Sequence, residues 1–88
     1  MKFGMACKKA MEYLKKEYGD IGFSSIKDIG DKWLFEGRDA ENTVFYGKPG
    51  ITIDKETGEQ GFFLLPDIEN FKLLDKAANI EIPKEYRF

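Results

Sequence analysis

YGKPGITIDKETGEQGFFLL, residues 46–65, reads as two strands joined by a tight turn. Ile51 and Ile53 alternate with Thr52 and Asp54, the two-residue period of a strand with one buried face. Asp54-Lys55-Glu56-Thr57-Gly58 supplies the reversal. The Asp54 carboxylate is placed to accept the backbone N–H groups that follow it, and Gly58 enters φ > 0 without a Cβ penalty. Phe62-Phe63-Leu64-Leu65 is a continuous apolar run, which predicts a strand covered on both faces. The hairpin therefore pairs 51–54 with 59–65.

Towards the N-terminus, Gly47-Lys48-Pro49-Gly50 is a loop or bulge, because proline removes a ladder donor. Before it, Thr43–Tyr46 starts a strand through Val44 and Phe45, and residues 38–42 form a polar connection. Lys32–Gly37 is a strand around Trp33-Leu34-Phe35, with Trp33 and Phe35 on one face and Leu34 on the other. Gly30-Asp31 is its hairpin turn to a first strand, Ile21–Ile29. In that strand Ile21 and Phe23 alternate, and Ser24-Ser25 blurs the pattern before Ile26 and Ile29. Met1–Tyr18 is a helix. Phe3, Ala6, Ala10, Tyr13/Leu14 and Tyr18 make one apolar stripe, Lys15 and Lys16 sit in the last turn, and Gly19 stops it.

Beyond the hairpin, Asp67 is an N-cap and Glu69 lies in the positive first turn of a short helix over 68–78. Phe71, Leu74 and Ala78 share one face of it. Ile80-Glu81-Ile82-Pro83 is an extended tail that Pro83 ends. The chain thus reads as a single α+β domain over residues 1–88. Its N-terminal helix packs on a four- to five-stranded antiparallel meander sheet, with a short C-terminal helix after it. One helix covers one sheet face. The opposite face is expected to be partly apolar, with Trp33 or Leu34, Phe63 and Leu65 as its candidates.

Composition bounds what such a domain does. Eighty-eight residues with 42% hydrophobic and 15% aromatic content make one small core. A net charge of −2 provides no global basic field for nucleic acid. The charge is uneven. Residues 1–18 hold five Lys and two Glu, net +3, and the rest hold nine basic and fourteen acidic residues, net −5. Five of those acids fall between Asp54 and Glu69. No apolar run approaches the roughly 18 residues of a membrane span. Gly4-Met5-Ala6-Cys7 has the outline of a lipoprotein cleavage site, but Lys2 and Lys8 leave only five uncharged residues between them, too few for a signal segment. The chain is expected to be complete and cytoplasmic.

Catalytic patterns are not visible. There is no histidine, so neither a Ser-His-Asp nor a Cys-His nucleophile forms, and Cys7 reads as a small packing residue. Ser24 and Ser25 lack a Gly-x-Ser-x-Gly frame. A zinc site needs more Cys and His than the chain holds, and Asp54, Glu56 and Glu59 do not have EF-hand spacing. Gly47-Lys48-Pro49-Gly50 is not a phosphate-binding loop. We therefore expect no catalytic residue, cofactor or metal.

Three pieces carry a family resemblance: Ala10-Met11-Glu12-Tyr13-Leu14, Lys32-Trp33-Leu34-Phe35, and Tyr46-Gly47 with Ile51-Thr52-Ile53-Asp54-Lys55-Glu56-Thr57-Gly58-Glu59. In that order they resemble the small α+β immunity proteins usually called immunity protein 35, over roughly residues 6–60. The resemblance implies a cystatin-like helix on a sheet and a bacterial protein that neutralises a polymorphic toxin by binding it. After Glu59 the chain departs from that family, continuing Phe62-Phe63-Leu64-Leu65-Pro66 where the family has small residues, so no binding residue is carried over. The Asp-x-x-Thr-Gly turn is also similar to the last strand pair of PepSY domains, which are usually exported or membrane-linked.

The expectation is a non-enzymatic protein binder. Its candidate contact residues are Asp54, Glu56, Glu59, Phe63, Leu65, Asp67 and Glu69: acidic groups rimming apolar anchors, suited to a basic toxin domain. The same acids serve equally well as solvated turn and capping groups. Neither nucleic acid nor a membrane is an expected partner. Two other classes stay open, a ligand-binding domain or enzyme with a pocket between helix and sheet, and a self-associating domain or homodimer.

Overall fold

The computed structural model describes residues 1–19, 21–39, 50–63 and 68–87, without the side chains of Tyr18, Arg38, Asp39 and residues 68–71. Helix α1 (Phe3–Tyr18) is followed by β1 (Ile21–Asp28), β2 (Lys32–Asp39), β3 (Gly50–Asp54), β4 (Gln60–Phe63), α2 (Ile68–Lys76) and β5 (Ala78–Ile80). A 3₁₀ turn over Lys84–Tyr86 ends the described chain. The strands form one antiparallel sheet in the order β4-β3-β2-β1-β5. The α+β architecture is the one the sequence predicts. The expected strand at Thr43–Tyr46 lies outside the described residues, as do Leu65 and Asp67.

The α1 stripe is sharper than its spacing suggested. Ala6, Cys7, Ala10, Met11 and Leu14 are all buried, and the small residues among them let the helix close on the sheet. Gly19, at φ +86°, ends the helix with its N–H on the Lys15 carbonyl at 2.9 Å.

Beneath α1, Ile80, Ile26, Phe35, Ile51 and Phe62 form one cross-strand row by register, and Trp33 and Ile53 lie in the next row on that face. Phe23 and Phe35 are fully buried with ring centroids 5.1 Å apart, and Phe3 bridges Trp33 and Phe35 at 5.3 and 6.3 Å. Trp33 and Phe35 thus share the α1 face, with Leu34 opposite. The Ser24-Ser25 blur is a β-bulge: the register shifts between Phe23 and Ser25, so Phe23 and Ile26, three residues apart, meet the same helix.

The opposite face is apolar at Leu34 and Phe63, as expected, but it is covered. The chain leaves the sheet at the β4 edge and re-enters at the β5 edge, and α2 makes that crossing. Leu74 and Ala77 pack on Ile29, Leu34 and Phe63. The described structure therefore has a helix on each side of the sheet. Cβ-less Gly50 lies beside this second cluster, where an added Cβ would sit 2.6 Å from Leu34 Cδ1. The C-terminal tail also does more than extend. Ala78–Ile80 pairs with Ile26–Asp28, and Tyr86 reaches Phe23 at 5.5 Å.

Candidate partner-binding surface

The β3–β4 turn is held from within. Asp54 Oδ1 accepts the N–H groups of Glu56 and Thr57, both at 2.9 Å, and Gly58 donates its N–H to the Asp54 carbonyl at 2.9 Å. Gly58 has φ +73°, the left-handed conformation expected of it. The two amides hold the Asp54 carboxyl below its ordinary range.

The turn is also held from outside. Lys55 donates its N–H to the Asp31 carbonyl at 3.0 Å and its ammonium to Asp28 Oδ1 at 2.7 Å, 5.8 Å from the Trp33 ring centroid. The Lys55 ammonium, then the Gly30 amide, keep the Asp28 carboxyl low. The Lys9 ammonium of α1 donates to the Gly58 carbonyl, and the Met1 ammonium, ahead of α1, to the Lys55 and Glu56 carbonyls. Both hairpin turns and the start of α1 form one braced end of the molecule.

This bracing sorts the candidate residues. Asp54 is committed to its own turn. Glu56 and Glu59 are exposed, and their carboxylates have no partner among the described residues. The cations of Lys9, Lys55 and Met1 stand close by, so the tip is not purely acidic. Glu69 falls on α2, on the other side of the sheet, and its side chain is not described; Leu65 and Asp67 lie outside the described residues. Among the described candidates the turn brings together Asp54, Glu56 and Glu59.

Phe63 needs correction as a surface anchor. It is only 7% exposed, buried under α2 against Leu34 and Ile29. Its neighbour Phe62 is the exposed aromatic, at 52%, with its ring edge-on to Tyr13 of α1 at 5.9 Å. In a continuous apolar run nothing marks which residue faces out. Parity does not supply the signal either, since it sets Phe62 on the same face as its buried partner Ile51; only its place on the edge strand leaves the ring exposed.

Cys7 is fully buried, and burial, with Glu85 second, pushes its thiol up to about 11. Among the described residues no group of three or more Cys, Asp or Glu could hold a metal ion, and no helix is long and apolar enough to cross a membrane. No protein-family model, curated protein or solved structure matches the chain.

Proposed function

We propose that this is a non-enzymatic binding domain that neutralises a toxin by covering a basic surface on it, a cytoplasmic immunity protein of the kind its sequence resembles. One observation carries the reading. Glu56 and Glu59 project, without partners among the described residues, from a turn held by its own hydrogen bonds and by Lys9, Met1 and Asp28, and the exposed Phe62 lies three residues, about 10 Å, further along the same hairpin. A rigid tip that presents two exposed carboxylates loses little conformational entropy on docking. Carboxylates steer a basic partner in, and an aromatic at the rim holds it. A toxin domain that acts on nucleic acid has the basic surface this tip would meet.

The test is kinetic. Partners are first captured with the tagged protein from its own host. Glu56→Lys/Glu59→Lys is then expected to slow association with the captured toxin, increasingly so as salt is lowered, with the circular dichroism spectrum unchanged. An association rate at low salt equal to that of the unmodified protein would refute the reading.

A further inference from the structure

The hydrogen-bond phase of the sheet follows from its turns. Asp54 donates its N–H to the Glu59 carbonyl at 3.0 Å, so 54 and 59 are a hydrogen-bonded pair. Alternation along the antiparallel ladder then makes Thr52–Gly61 and Gly50–Phe63 hydrogen-bonded pairs, and Ile53–Gln60 and Ile51–Phe62 non-hydrogen-bonded ones. The far side of β3 agrees. Lys55 bonds to Asp31, which places Ile53 and Ile51 in hydrogen-bonded register with Trp33 and Phe35. On β4, therefore, the N–H and C=O groups of Gln60 and Phe62 aim out of the sheet. Among the described residues no strand receives them.

The two sheet edges differ. By the same phase, started from the Ile29–Lys32 bond, β5 turns Ala78 and Ile80 inward and leaves one outward residue, Asn79. Glu81, paired to Arg87 at 3.1 Å, and then Pro83 follow it. A short strand, a charge and a proline are the usual devices that keep an edge from pairing. β4 is also short and Glu59 precedes it, but it turns two residues outward, Gln60 and Phe62, where β5 turns one, and its Phe62 is half-exposed.

We propose that β4 pairs antiparallel with β4 of a second copy, about a two-fold axis at Gly61, joining two five-stranded sheets into one. This register is self-complementary. Gln60 faces Phe62 of the second copy, and Phe62 faces its Gln60, so the outward groups of both residues close four backbone hydrogen bonds. Gly61 meets its own copy on the axis, in the pair type where Cα atoms approach to about 4.5 Å. The two Phe62 rings occupy diagonal positions on the α1 face, within aromatic reach. Glu59 falls opposite Phe63, so no like charges face each other. Four-residue strands cover less than the roughly 1,200 Å² of a standard interface, so the dimer is weak and concentration-dependent. The inference does not rest on toxin capture. It does cover Phe62, which makes pairing and capture alternative uses of one edge.

Sedimentation velocity over a wide range of protein concentration tests this. The unmodified protein should rise from monomer to twice the monomer mass. Phe62→Pro removes an outward N–H that β3 does not use and should stay monomeric with an unchanged circular dichroism spectrum. Phe62→Glu should also be monomeric, and Gln60→Lys/Phe62→Glu, which sets two Lys–Glu pairs across the axis, should recover the dimer. The last two variants decide the matter should Phe62→Pro fail to fold. An unmodified protein that remains monomeric throughout would overturn the proposal and leave the edge to a foreign strand. So would a double variant as monomeric as Phe62→Glu.

Discussion

Replacing Gly58 with alanine should destabilise the protein by about 1 kcal/mol, and with valine by about 2 kcal/mol. The backbone there has φ +73°, where an L side chain brings Cβ against the neighbouring carbonyl at about 1–2 kcal/mol. Alanine recovers some of that loss, since it reduces the freedom of the unfolded chain by about 0.4–1 kcal/mol. Valine adds the stiffness of a branched Cβ. A steric effect is separable from the backbone effect. The new Cβ would lie 2.8 Å from Met1 Sδ, but Met1 is 38% exposed and its thioether can swing aside. Asparagine carries the same Cβ yet tolerates the left-handed region, so Gly58→Asn should be the mildest of the three. Urea unfolding reads the series. With a slope of about 1 kcal/mol per molar, alanine should lower the midpoint by about 1 M at an unchanged slope. Asparagine as damaging as valine would show that the contact with Met1, and not φ, sets the requirement for glycine.

Three further outcomes follow from other sites. Gly50→Ala should lose about 1–3 kcal/mol in the same assay, because its Cβ would stand 2.6 Å from Leu34 Cδ1 in a packed cluster, and trimming Leu34 to Val in that background should recover part of it. Cys7, buried and with its thiol raised to about 11, should react slowly with a disulfide reagent at pH 8 and rapidly in denaturant; fast stoichiometric labelling of the folded protein would contradict its packing role. Asp28 and Asp54 both have lowered folded pKa values, so their stabilisation is present above the unfolded aspartate value of about 3.9 and is lost as pH falls through the folded values. The melting temperature should therefore fall steeply below about pH 4, and Asp28→Asn/Asp54→Asn should flatten that decline while lowering stability at neutral pH.

Features that depend on a few neighbouring residues were legible in the sequence. The turn from Asp54 to Gly58 is a contract between one carboxylate, two amides three residues away at most, and one glycine, so local chemistry specifies it. The same holds for the α1 stripe and its stop at Gly19, and for the alternation of Trp33, Leu34 and Phe35. Ser24-Ser25 was a visible irregularity whose meaning, a bulge that keeps Phe23 and Ile26 under α1, needed the partner strand.

Other features exist only once distant segments meet. Phe62 and Phe63 are chemically identical neighbours in an apolar run, and the pairing of β4 with β3 alone sends one to the rim and the other under α2. That α2 crosses to the face opposite α1, and that Ala78–Ile80 pairs with β1, was decided by burial of Leu34 and Phe63 and by unpaired peptide groups of β1. Of the acids close in sequence, the four on described residues belong to different places, Asp54, Glu56 and Glu59 on one braced turn and Glu69 on the far helix. Sequence spacing by itself determined α1, the β1–β2 and β3–β4 hairpins and the start of α2, because those states are set by contacts within a few residues; Ala78, read as helix, became strand only by pairing with β1. Tertiary structure decided which side chains reach solvent together, because that depends on strand register and layer, and both come from contacts between residues far apart in the chain.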